Sequence, residues 1–361
     1  MTTRYLILQD GTVYEGEAFG APATTFGELV FNTAMTGYQE IITNPIYYNQ
    51  IIMFTTPTIG AAGINHYADE AIVPVVKGVV VREIAEISTN RIRALSLNDY
   101  LKRHNIPGIS QIDTRALTRH LRETGVQKAS IVDQPDDHAF DQLRAMVLTN
   151  QQIAQISTPK AYANPGRGAN VVVLDFGLKS GILRILSDFD ANVTVLPFSA
   201  TFDEVANLDP DGLVISSGPG DPAQVPETAL DLIREFETRV PLFGIGLGHE
   251  LFAIANGAKV SELTSAHHGM NHPIREQITK DIMFATQGQA YYVDAKSIKD
   301  TPLFVTHIDI TDNQIQGLRH RDYPAFSVQF FPDAAPGPLE ETQAFAEFME
   351  MVMARRGGGT I

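Results

Sequence analysis

Past residue 170 the chain alternates short apolar runs with amphipathic stretches, and that alternation constrains its fold more than any other feature. Val171–Leu174, Asn192–Leu196, Gly212–Ser216 and Pro241–Ile245 read as buried strands, with helices expected over 180–189 and roughly 227–238. Strands covered on both faces by crossover helices make a doubly wound, mostly parallel sheet, whose site lies at the carboxyl ends of the strands. The last of these strands runs into Phe243-Gly-Ile-Gly-Leu-Gly-His-Glu-Leu251. A strand, a glycine-rich turn and a helix form a nucleophile elbow, which lifts the residue between two glycines over a pocket. Here that residue is Gly246, which has no side chain to react.

The 361 residues suffice for two domains, each with its own core. Residues 1–152 form the first, a mixed α/β domain with strands expected at Tyr5–Leu8, Gln50–Phe54 and Val75–Val81. It carries one well-marked helix, with Asp113 as N-cap, Gly125 as the C′ residue and Ile112 and Leu117 as a hydrophobic staple. Leu117 and Leu121 mark its buried stripe. Residues 153–170 are polar and broken by Pro and Gly, which reads as a linker. The second domain spans 171–355, and the tail 356–361 is expected to be disordered. A formal charge of −15 argues against a surface that tracks nucleic-acid phosphates. No apolar run approaches the ~20 residues that span a bilayer, and the start has no signal-peptide pattern. A cytoplasmic protein is expected. With zero cysteines, disulfides and thiolate metal sites are excluded. So is any thiol that could stand in for the one the elbow lacks.

Several longer motifs carry a resemblance. They are FNTAMTGYQEIITNP (31–45) and IDTRALTRHLRETG (112–125) in the first half. The second half adds LDFGLKSGILR (174–184), SSGPGDP (216–222), HHGMNHP (267–273) and PAFSVQFFPDAAPGP (324–338). The second half resembles class I glutamine amidotransferase domains, and the chain from Tyr5 to about Arg355 is similar to the small subunit of carbamoyl phosphate synthase. The resemblance implies amide hydrolysis, in which a cysteine attacks glutamine, a histidine moves protons and a glutamate orients the histidine. The family's G-x-C-x-G-H-Q here reads Gly244-Ile-Gly246-Leu-Gly248-His249-Glu250, and its H-P-E reads Phe331-Pro332-Asp333. No member of the triad is intact. Among pocket positions Gly218, Gly220 and Leu247 match the family. The others mostly depart from it. Ile46 replaces a serine, and Glu250 replaces a glutamine and sets a carboxylate where the ligand has its own. In Gln287-Gly288-Gln289-Ala290-Tyr291 the family pattern is Q-N-H-G-F, so Gly288 replaces its asparagine and Ala290 its glycine, with Tyr291 at its phenylalanine.

Glycine at the elbow adopts a positive φ that costs a residue with a Cβ ~1–3 kcal/mol, so the turn keeps its shape without its chemistry. Gly244-x-Gly246-x-Gly248 also suggests a dinucleotide loop, but the spacing is not GxGxxG and no acidic strand end follows. His267, His268 and His272 read as a polar loop or interface rather than a metal site, and Asp333 as a surface or buried carboxylate left from the triad. No Ser or Thr lies at the elbow to serve instead. Two functions follow. In the first, the chain is a non-catalytic small subunit on a large subunit that carries ATP and magnesium, with a higher oligomer of such heterodimers as a possible assembly. This chain then holds no cofactor of its own. In the second, it is a free-standing binding or regulatory protein derived from that subunit.

Overall fold

The computed structural model describes residues 2–145 and 151–358, which divide into two compact units. In the first unit the strands are β1 (Thr3–Leu8), β2 (Val13–Gly20), β3 (Thr25–Asn32), β4 (Gln50–Phe54), β5 (Thr58–Ile59), β6 (Gly78–Val80), β7 (Glu83–Ile84), β8 (Pro107–Ser110) and β9 (Gln127–Val132). Seven of them close into a barrel in the order β1-β2-β8-β6-β4-β3-β9, and β9 pairs back onto β1. Alternate side chains of a strand point to opposite faces. Leu6 and Leu8 therefore enter the barrel core with Ile51, Met53 and Ile109, while Ile7 packs outside with Val132 and Leu143. Burial on both faces is why β1 reads as an unbroken apolar run. The strand expected over Val75–Val81 is shorter, confined to Gly78–Val80.

The helix Thr114–Thr124 forms as its signals direct. The Asp113 carboxylate accepts from the Ala116 amide at 2.9 Å, satisfying a donor the first turn leaves free. Leu117 and Leu121 join Ile112 in the barrel core, and Gly125 ends the helix at φ 80°.

The second unit is built on one sheet of strands β10 (Tyr162–Asn164), β11 (Asn170–Asp175), β12 (Asn192–Pro197), β13 (Gly212–Ile215), β14 (Leu242–Ile245), β15 (Val260–Glu276), β16 (Ile282–Val293), β17 (Leu303–Asp309), β18 (Ile315–His320) and β19 (Ala325–Val328). Their order is β10-β12-β11-β13-β14-β19-β18-β17-β15-β16. The run from β12 to β19 is parallel. β10 and β18 flank it antiparallel. Val172 and Leu174 face a core completed by Leu230, Ile233 and Phe236 of helix Glu227–Glu237. Val171 and Val173 face the opposite core, filled by Ile182 and Leu186 of helix Ser180–Asp188. Helices thus cover both faces of a mostly parallel sheet, the doubly wound arrangement expected.

The segment 153–170, expected as a linker, carries regular structure. Helix Gln152–Ile156 buries Ile153 in the second unit, and β10 pairs with β12. Its apolar anchors are too few to show as a period. The helix Gln343–Arg356 extends into the expected tail and Gly357 caps it, while residues 359–361 lie outside the described residues. Residues 264–269, within β15, belong to the first unit. There the Thr33 amide and hydroxyl both donate to the His268 carbonyl at 3.1 Å, and the His268 ring lies 5.2 Å from Tyr47. Nothing in the local sequence marks that exchange. Among the described residues no helix is long and apolar enough to cross a membrane.

Candidate functional site

β14 ends at Ile245, and the chain turns at Gly246 with φ 57° and ψ −112° to enter helix Leu247–Ala255. This positive φ is open to glycine and strained for other residues. The Gly246 amide donates to Val328 O on β19 at 2.9 Å, fixing the turn to the neighbouring strand. A Cβ on Gly246 would lie 3.1 Å from the Ser217 Cβ and 3.8 Å from Cε1 of Phe331. The elbow therefore aims at Phe331, where the resemblance places the triad histidine, and meets a buried aromatic ring.

Phe331 is 3% exposed, and its amide donates to Thr286 O on β16 at 2.9 Å. Two residues on, Asp333 does not face solvent. Its carboxylate takes a 2.8 Å hydrogen bond from Nζ of Lys179, which also donates to Ala335 O at 2.7 Å. Lys179 is 0% exposed, and its ammonium lies 4.6 Å from the centre of the Phe331 ring. A buried cation so placed gains from both the carboxylate and the ring face. Of the two readings of Asp333 the buried one holds, with a partner that sequence reasoning missed. LDFGLK marks Lys179 only as a motif residue, since a fully buried lysine has no signature of its own.

His249 is the other imidazole at the elbow, and it cannot act as the missing base. It is fully buried, its Nδ1 is 2.9 Å from Ser327 Oγ, and burial pushes its pKa down to about 3. At neutral pH it has little tendency to take a proton. No Ser or Thr lies in the elbow itself, but Ser217 of a neighbouring strand end comes close to it. Its Cβ is the closest atom to the position a nucleophile's Cβ would take, and its Oγ is buried without a hydrogen-bond partner. Proximity in space brings it there from 29 positions away in the chain, as 246 − 217 shows.

Glu250 departs most from expectation. It is 4% exposed and accepts from Nε2 of Gln329 at 3.0 Å. Burial raises its pKa to about 8, against the Gln329 hydrogen bond, and the nearby Asp221 charge adds to the rise. At neutral pH the group is mostly a neutral acid, close in shape and polarity to the glutamine that the resemblance implies there. It is not the standing negative charge that its identity suggests. The unfolded chain ionises this side chain near pH 4.5, so its contribution to stability is whole below that value and is lost as pH rises toward 8. Glu250→Gln is expected to stabilise the second unit by about 2–4 kcal/mol at pH 8 and to change little at pH 5. Denaturant unfolding at the two pH values checks this, and an equal effect at both would contradict it.

The other positions named from the resemblance are described unit by unit. Gly218 lies against the elbow helix, where a Cβ would come within 3.1 Å of Leu247 Cδ2 and 2.1 Å of Phe176 O. Only glycine fits there. Gly220 has φ 103°, and Leu247 is the buried first residue of the helix. Gly288, Ala290 and Tyr291 stand on β16 as half-buried residues. Ile46 belongs to the first unit, buried in the turn Pro45–Tyr47 with its amide donating to Asn44 Oδ1 at 3.1 Å. His268 packs in the first unit, while His272 of the second unit lies 3.3 Å from Asp309.

Comparison with known proteins fits this geometry. Residues 6–131 match the family described as carbamoyl-phosphate synthase small chain, CPSase domain, and residues 172–351 match glutamine amidotransferase class-I. The carbamoyl phosphate synthase pyrimidine-specific small chain of Lactiplantibacillus plantarum is 52% identical, covering 98% of this chain and 97% of its own length. The carbamoyl phosphate synthase small chain of Streptococcus pyogenes serotype M3 is also 52% identical, covering 98% of both chains. This chain belongs to the carbamoyl phosphate synthase small-chain family. That of Streptococcus pneumoniae serotype 4 is 49% identical over the same shares. Membership accounts for the order of the two units and for the elbow. It leaves open what a small chain does with glycine at that elbow.

Proposed function

We propose that this chain is a small subunit of carbamoyl phosphate synthase that no longer hydrolyses glutamine. The observation that carries the reading is the path from the elbow: no side chain at Gly246, an aromatic ring 3.8 Å from where its Cβ would be, and an Asp333 carboxylate held by Lys179. Nucleophile, base and orienting group are absent together, and triad members act as a unit. Docking on a large subunit is supported by the family match of the first unit. It is also supported by apolar side chains that the first unit leaves in water, among them Tyr67, Ile72 and Ile87 at 79%, 96% and 74% exposure. Such residues are common at protein interfaces. ATP, magnesium and bicarbonate then belong to the large subunit, which draws on free ammonia. The likeness to a chain named pyrimidine-specific favours pyrimidine supply.

Incubation with a glutamine-directed electrophile, followed by mass spectrometry of the elbow peptide, tests the chemical half of this reading. No adduct is expected on residues 243–251 or on Ser217. Stoichiometric labelling at either place would overturn it, and labelling at Ser217 would name a substitute nucleophile.

A further inference from the structure

Near the Lys179–Asp333 pair lies a further buried carboxyl that the triad does not explain. Glu341 is 1% exposed. Its Oε1 accepts from the Thr286 amide on β16 at 2.8 Å, and its Oε2 has no hydrogen-bond partner. Thr286 is a hub. Its carbonyl accepts from the Phe331 amide at 2.9 Å, and its hydroxyl donates to Pro336 O at 2.7 Å. The loop from Phe331 to Glu341 is thus fastened to β16 through one residue. The charges acting on Glu341 are Asp333, which repels its ionised form, and Lys179, which favours it. Lys179 already spends its contacts on Asp333 and Ala335 O. β16 contributes the uncharged Thr286, and the helix Gln343–Arg356 carries Glu347, Glu350, Arg355 and Arg356, of which Glu347 pairs with Arg319 and Arg356 with Asp211.

We propose that Lys179, Asp333 and Glu341 form a proton-dependent latch: the two carboxyls carry one negative charge between them, the proton sits on Glu341, and its loss releases the 331–341 loop from β16. One ammonium cannot neutralise two buried carboxylates, and an ionised Oε2 without a partner would be strongly disfavoured. Burial is the main cause that raises the Glu341 pKa to about 9, opposed by the Thr286 amide and aided by Asp333. In the unfolded chain the same group ionises near 4.5. Stability contributed by the latch is therefore whole below pH 4.5 and falls as pH rises toward 9. Through Thr286 the latch also holds the start of the Gln287–Tyr291 stretch, where the pocket positions lie.

The test compares the intact chain with Glu341→Gln, which keeps an acceptor for Thr286 and cannot ionise. Because Glu250 also loses stability over this range, the comparison is made without it: between pH 6 and 9 the Tm of Glu250→Gln is expected to fall by at least about 5 °C, and that of the Glu250→Gln, Glu341→Gln double variant by less than half as much. Amide exchange at Thr286 and Phe331, corrected for intrinsic rate, should quicken with pH only in the unaltered protein. An infrared difference spectrum at pH 7 should show a carboxylic-acid C=O band that Glu341→Gln lacks. Should that variant fail to fold, Asp333→Asn frees Lys179 for Glu341, and the acid band should lose one carboxyl's intensity because Glu341 then ionises while Glu250 stays protonated. Parallel pH dependence with and without Glu341→Gln, no difference band, or an acid band undiminished in Asp333→Asn would each overturn the latch.

Discussion

Gly246→Cys, made alone, is expected to release no glutamate from glutamine above background, with or without a large subunit present. The thiol would return at the N-terminus of helix Leu247–Ala255, where a thiolate is favoured. It would return to a residue at φ 57° that strains any Cβ by ~1–3 kcal/mol, with its Cβ 3.1 Å from that of Ser217. More important, it would face the Phe331 ring with nothing to move a proton. His249 is buried, engaged with Ser327 and lowered to about 3, so it cannot take that role. Adding Phe331→His supplies an imidazole next to the Lys179 ammonium, whose charge keeps it neutral and fit to act as a base. That imidazole still lacks an orienting group, because Asp333 is short by one methylene and bound to Lys179 at 2.8 Å. Asp333→Glu and Glu250→Gln are expected to complete the recovery. Losing a nucleophile alone can cost ~10⁶ in rate and triad effects are strongly non-additive, so the fourfold variant should exceed the single one by at least ~10³. A steady-state glutaminase assay decides it. A single cysteine variant within tenfold of the fourfold one would show that Phe331 and Asp333 are not what silences the site.

The doubly wound sheet was legible because each of its central strands is buried on both faces and each crossover helix has one apolar stripe. Val171–Leu174 and the helix near 180–188 illustrate this, and the capped helix Thr114–Thr124 was legible for a similar local reason. The proposed loss of hydrolysis rests on residue types that the sequence itself prints, Gly246, Phe331 and Asp333. What escaped was whatever depends on meeting across the chain. Lys179 and Asp333 are 154 positions apart, and only the folded unit shows that each neutralises the other. Glu250 looked like a fixed charge because charge was read from residue type, whereas burial determines the protonation state. The 153–170 stretch looked like a linker because an edge strand of three residues and a five-residue helix are too short to carry a period. Residues 264–269 gave no sign that they belong with the barrel, because strand β15 continues through them without a break in pattern.

The second large effect concerns nitrogen supply. A complex of this chain with a carbamoyl phosphate synthase large subunit is expected to make carbamoyl phosphate from ammonium and not from glutamine. Gly246, Phe331 and Asp333, on which the proposed loss of hydrolysis rests, lie in the second unit, while the first unit matches the small-chain family over residues 6–131. Removing a strained or charged active-site group often leaves a scaffold as stable as before or more so, and glycine at the elbow is such a change. Loss of hydrolysis therefore need not weaken docking. The direct measurement is co-purification of the two chains, followed by ATP- and bicarbonate-dependent synthesis with ammonium or glutamine as the sole nitrogen source. The account predicts a stable complex, turnover with ammonium, and no glutamine-dependent turnover above that of the large subunit alone. Robust glutamine-dependent synthesis would contradict it outright, and failure of the two chains to associate would leave a free-standing protein in place of a subunit.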